Sequence, residues 1–143
     1  MPDSDICFTP ATEQARMVRG GEISAVELMQ VHLDQIERVN PAVNAVVTLV
    51  ADEALANAAK ADQSRARGDE FGPLHGLPAG IKDLVATRNI RTTMGSPIFA
   101  DNVPASDAVI VSRMKSAGAI VIGKTNTPEF GAGSQTFNQV FGA

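Results

Sequence analysis

Lys82 has more reason to do chemistry than any other residue in this sequence. It closes the apolar stretch Pro78-Ala79-Gly80-Ile81 and is followed at once by Asp83. Lysine is costly to bury, so its place at the end of an apolar strand asks for a partner or a task. The task open to it is that of a base. A serine hydroxyl is a weak nucleophile until a base takes its proton, and serine-lysine arrangements exist beside the serine-histidine ones. Lysine can serve only where a useful fraction is neutral, so its ordinary pKa of about 10.4 must fall through burial or nearby positive charge. Such a strand should carry Lys82 into or beside the interior, with Ile81, Leu84 and Ala79 supplying the desolvation. Strand alternation turns Asp83 to the opposite face, where it need not pair with Lys82. Taken alone, however, a Lys-Asp pair at a strand end is more often a solvated terminus.

Other chemically capable residues are weaker candidates. Lys124 also follows an apolar strand and reads as structural or at a site's edge. Ser134 in Gly131-Ala132-Gly133-Ser134 resembles part of a nucleophile elbow, but Thr136 stands where the second glycine of Gly-x-Ser-x-Gly should be. Without further context that Gly-Ser cluster is a plain loop. His75 lies among turn residues, and His32 has no second ligand at helical spacing, so neither suggests a base or a metal site. Cys7 cannot form an internal disulfide, since it is the single cysteine, and it reads as a free thiol in a reducing compartment.

The elements that must position Lys82 follow from pattern. Thr9-Pro10 predicts a helix start, with Ala11 to Arg19 helical and a stop at Gly20-Gly21. Ser24-Ala-Val-Glu27 is a capping box. The helix it opens puts Val26, Met29, Leu33 and Ile36 on one face and should end before Pro41. The β-branched run from Asn44 to Val50 is either a buried strand or the start of the next helix. Asp52 to Arg67 is an alanine-rich helix closed by Gly68, and Gly72 begins a turn-rich approach to the Lys82 strand. Ser106-Asp107 should cap a helix carrying Ala108, Val111 and Met114, which ends at Gly118. Ala119 to Ile122 reads as a parallel-sheet strand, which completes a β-α-β unit. The class is α/β, with N-terminal helices packed outside the sheet and no internal domain boundary.

Composition narrows the function. The net charge of -4 with mixed signs argues against nucleic acid as the main partner. The absence of Trp and Tyr removes the residues most used for stacking on bases. No apolar run approaches a membrane span, and the acidic N-terminus lacks a secretory pattern, so a cytoplasmic protein without a membrane partner is expected. No metal cluster or phosphate-binding glycine loop is visible, so no cofactor is implied.

Two segments together carry a resemblance. Gly76, Pro78, Lys82 and Asp83, followed by Gly123-Lys124-Thr125-Asn126 and the stretch to Ser134, resemble the amidase signature family. The resemblance covers the chain from about the first helix to Ala143. It implies residues 1–143 are the N-terminal part of a single amidase signature domain, contributing helices and the first strands of its mixed sheet. It also implies that Lys82 is the lysine of a Ser-Ser-Lys triad and that Gly131, Ala132, Gly133 and Ser134 line the acyl pocket. In the family the lysine acts through a middle serine on a nucleophilic serine, both in glycine-rich motifs. None of Ser4, Ser24, Ser64, Ser96, Ser106, Ser112, Ser116 or Ser134 sits in such a motif. The chain alone should therefore not turn over an amide, and its first partner would be the remainder of its own domain beyond Ala143. Lys124 has no triad role in the family. The implied reaction is hydrolysis of a small-molecule carboxylic amide to an acid plus ammonia or an amine. The A subunit of a glutaminyl-tRNA amidotransferase and a non-catalytic amidase-derived binding module are the alternatives, although the local wording leans towards a general amidase. The amide itself and any homo-oligomer stay open.

Overall fold

The computed structural model describes residues 6–143, so the acidic stretch at 1–5 lies outside the described residues. The principal elements in order are α1 (Ala11–Gly20), α2 (Ala25–Val43), β1 (Val46–Leu49), α3 (Ala51–Arg67), β2 (Pro78–Lys82), α4 (Val109–Ser116) and β3 (Ile120–Thr125). The strands form a mixed sheet ordered β1-β3-β2, with β3 parallel to β2 and antiparallel to β1. The expected β-α-β unit is therefore β2-α4-β3, and the open alternative at Asn44 to Val50 resolves as a strand.

Local chemistry accounts for most of the boundaries. The Ser24 hydroxyl accepts from the Glu27 amide at 3.0 Å while the Glu27 carboxylate accepts from the Ser24 amide at 2.8 Å, closing the capping box. A second, tertiary cap comes from α3, where Asp62 accepts from the amides of Ala25 and Val26 at 2.7 and 3.1 Å. Its charge also suits the positive end of the helix dipole. Gly21 and Gly68 end α1 and α3 in the left-handed conformation.

Two expectations fail here. The second helix runs through Pro41 to Val43 rather than stopping before it. Proline removes one donor near a helix end, and the last turn is held instead by Asn44, whose amide donates to the Asn40 carbonyl at 2.7 Å. Asn40 then exchanges side-chain bonds with the Val46 backbone, linking helix to strand. Nor does Asp107 cap the fourth helix, whose N-cap is Ala108 without a side-chain bond. The Asp107 carboxylate is already engaged by the Arg88 amide at 2.7 Å and by Lys115 at 2.9 Å.

The sheet separates two cores. On one face Val18, Leu28, Met29, Leu33, Ala54 and Ala58 of α1 to α3 meet Leu77, Ile120 and Ile122. Each large side chain buried there contributes about 1.5–3 kcal/mol. On the other face Ile81 and Val121 pack with Ile90 and with Val111 of α4.

Candidate active site

A bulge decides what the strand ends present. In the β2–β3 register Ala79 faces Val121 but Gly80 faces Gly123, so Ile122 is skipped. Beyond it Ile81 lies opposite Lys124, and Lys82 opposite Thr125. Strict alternation from Ile120 and Ile122 would place Lys124 towards the first core. The extra residue turns it instead onto the face of Ile81 and Val121. Gly123 has no room for a side chain, because a Cβ there would lie 2.5 Å from the Thr48 carbonyl oxygen of β1.

Lys124 is wholly buried. Its ammonium donates to the Val85 carbonyl at 2.6 Å and to the hydroxyls of Thr87 and Thr92 at 2.9 and 2.8 Å. Those hydroxyls donate onward to the carbonyls of Val85 and Ile90, which leaves their oxygens free to accept. Burial lowers the Lys124 pKa to about 8, with Asp83 and Asp107 pulling it back up and Lys115 pushing it down. Three bonds from one buried cation thus fasten the loop after β2 to β3.

Lys82 is placed otherwise than expected. It is exposed at the end of β2, with no hydrogen bond or ion pair among the described residues. The physical reason is its position on an edge strand, on the face where its neighbour Gly80 is also exposed and offers no side chain to cover it. Asp83 does turn the other way and is wholly buried. Its Oδ2 accepts from the Thr93 hydroxyl at 2.5 Å and the Thr93 amide at 3.1 Å. Its Oδ1 is buried without a partner.

The Gly131 to Ser134 segment reaches the same end of the sheet. Gly131 lies on Leu84, since a Cβ at Gly131 would come 2.7 Å from the Leu84 Cδ1. Ala132, Gly133 and Ser134 line a cleft of about 490 Å³ together with Pro128, Glu129, Phe137 and Asn138. Ser134 is exposed and hydrogen-bonded to no base among the described residues. The remaining candidates lie elsewhere. His75 stacks on Phe71 with ring centroids 4.1 Å apart, and its Nε2 lies 3.1 Å from the Ala61 carbonyl. His32 is partly buried on α2, where desolvation lowers its pKa. The Cys7 thiol is free and donates to the Val31 carbonyl at 3.6 Å. Among the described residues no helix is long and apolar enough to cross a membrane.

Sequence reasoning missed the buried role of Lys124 and the Asp83–Thr93 bond. The available signal was the concentration of hydroxyls at Thr87, Thr92, Thr93 and Ser96 in one loop between two apolar strands.

The sequence and fold of this chain can be set beside those of known proteins. The amidase family profile matches residues 27–143, and the chain belongs to that family. It is 42% identical over 139 residues to the A subunit of a glutamyl-tRNA(Gln) amidotransferase from Acidothermus cellulolyticus, covering 97% of this chain and 28% of that protein. It is 46% identical over 141 residues to an indoleacetamide hydrolase from Bradyrhizobium diazoefficiens, covering 99% of this chain and 27% of the relative. The solved structure of a fatty acid amide hydrolase superposes with a TM-score of 0.91 at 27% identity, over 99% of this chain and 25% of that one. The chain thus spans about 28% of the length of such relatives, and its helices and mixed sheet correspond to part of the amidase signature fold.

Proposed function

We propose that these residues furnish the base and one wall of the acyl pocket of an amide hydrolase, within a single amidase signature domain whose two serines lie outside the sequence. The observation that carries this reading is Lys82, exposed and without a bond among the described residues at the end of β2, two residues before the Leu84 on which the small-residue loop is seated. Neutral Lys82 would take a proton from the middle serine as that serine takes one from the nucleophile. The nucleophile's Oγ then bonds to the amide carbon, the C–N bond breaks, and the relayed proton leaves on the departing nitrogen. Water cleaves the resulting ester to the acid and regenerates the serine. Lys82 is exposed, so the apolar surroundings that a lysine base needs would come from chain that covers this face.

The test is Lys82→Ala in the complete enzyme, read by ammonia or amine release and by the mass of the acylated protein. Acyl-enzyme formation should be nearly abolished while the fold is kept. Substantial retained activity would sink the assignment. A second reading has an observation of its own, the 42% identity to the A subunit of an amidotransferase. Co-purification with partner proteins of such a complex would favour it over a free-standing amidase.

A further inference from the structure

We propose that Ser96 and Glu129 are positioning residues that hold the Gly131 to Ser134 loop at a set height beside Lys82 and thereby set how large an acyl group the site accepts. This rests on the amidase reading above. Ser96 is wholly buried, yet its hydroxyl donates at 2.6 Å to Oε1 of Glu129, a residue at the surface. The bond joins two loops at their most unusual backbone. Met94 and Phe130 adopt left-handed conformations, with φ of 55° and 50°. Each is followed by a glycine of positive φ, Gly95 at 67° and Gly131 at 73°. For non-glycine residues such conformations cost about 1–3 kcal/mol each and persist only where the surroundings over-determine them.

Here the surroundings are the two loops themselves. The Phe130 amide donates to the Met94 carbonyl at 2.8 Å. A Cβ at Gly95 would meet the Thr127 carbonyl at 3.0 Å, so the loops touch backbone to backbone. The inner loop is in turn fixed to the residue after Lys82. The Met94 amide donates to the Asp83 carbonyl at 2.9 Å, and Thr93, bound to the Asp83 carboxylate, accepts from the Gly95 amide at 3.0 Å. A continuous set of bonds therefore runs from Asp83 through residues 93–96 to Glu129 and Phe130, immediately before the small-residue loop. Strain of this kind clusters where a ligand must be held, and the lining of the adjoining cleft by Ala132, Gly133 and Ser134 names the element so held.

The experiment compares acetyl- and decanoyl-p-nitroanilide as substrates of the complete enzyme carrying Ser96→Ala, Glu129→Ala or Glu129→Gln. Ser96→Ala and Glu129→Ala should raise the ratio of KM for the long substrate to KM for the short one about tenfold. Glu129→Gln, which keeps an oxygen acceptor for Ser96, should restore the ratio. An unchanged ratio in Ser96→Ala overturns the proposal. So does a uniform fall in kcat for both substrates, or loss of the circular dichroism of the fold in both alanine variants, since either assigns the pair to stability alone. Lys82→Ala is run alongside. Activity retained there defeats the amidase reading itself, whereas an inactive Lys82→Ala with an unchanged Ser96→Ala ratio defeats only the positioning role.

Discussion

Lys82 and Lys124 stand one register step apart on adjacent parallel strands, yet Lys82 is exposed and Lys124 has no accessible surface. The bulge at Ile122 separates them by sending Lys124 into the second core. Two lysines near the ends of adjacent strands are thus placed oppositely, one as a buried anchor and one open at the surface.

Replacing them should have opposite consequences for stability. Lys82→Ala removes an unpaired surface side chain and should change unfolding free energy by no more than about 0.5 kcal/mol. Lys124→Met keeps the hydrocarbon stem but removes three buried hydrogen bonds made by a charged donor, at a cost on the order of 3 kcal/mol. Urea unfolding midpoints of the two variants at neutral pH check the contrast.

The same buried lysine should leave a signature in alkali. Its folded pKa of about 8 lies below the ordinary value of 10.5. Below the lower value both states are protonated, and the cost of burying the ammonium is fully present. Between the two values the unfolded chain holds the proton that the folded one has released, so stability should rise with pH on this account. The difference in unfolding free energy between wild type and Lys124→Met, followed from pH about 7 to about 10, should grow in favour of wild type. A flat difference would mean that the ammonium keeps an ordinary affinity for its proton.

Gly123→Ala tests the close approach of β3 to β1. The new methyl group would fall 2.5 Å from the Thr48 carbonyl oxygen, and neither backbone can yield without breaking the ladder. A loss of about 1–3 kcal/mol is expected. An unchanged thermal midpoint would show that the strands sit farther apart.

Asp62→Ala should loosen α2 from a distance, because its carboxylate serves the first two amides of that helix from the body of α3. A cap of this kind is worth about 1 kcal/mol. Faster hydrogen exchange confined to the amides of Ala25 and Val26 is the readout.

These particulars also mark what the sequence makes legible. The capping box at Ser24, the helix stop at Gly68 and the β-α-β unit are local signals, and each appears where its residues stand. Pattern alone overstates the burial of Lys82, because strand alternation tells which face a residue takes, not what covers that face. The burial of Lys124 is hidden for a related reason. A single extra residue in β3 reverses the alternation, and nothing in Ile120 to Thr125 announces it. Asp107 has the sequence setting of a helix cap, but its partners are Arg88 and Lys115, and only the first of these lies outside its own helical neighbourhood.

Far from the lysines, the two parallel strands are knitted together before either begins. The amides of Leu74 and Gly76 donate to the carbonyls of Ala117 and Gly118. Gly118 presses so closely on His75 that a Cβ would lie 2.7 Å from its Cα. This seam acts as a ruler for the other end of β2. Were the strand to slip by one residue against β3, the rim would display Ile81 or Asp83 in place of Lys82, a hydrocarbon or a carboxylate in place of an amine. The identity of the group offered at the rim is therefore settled at the opposite end of the strand, by the close backbone contacts of this seam.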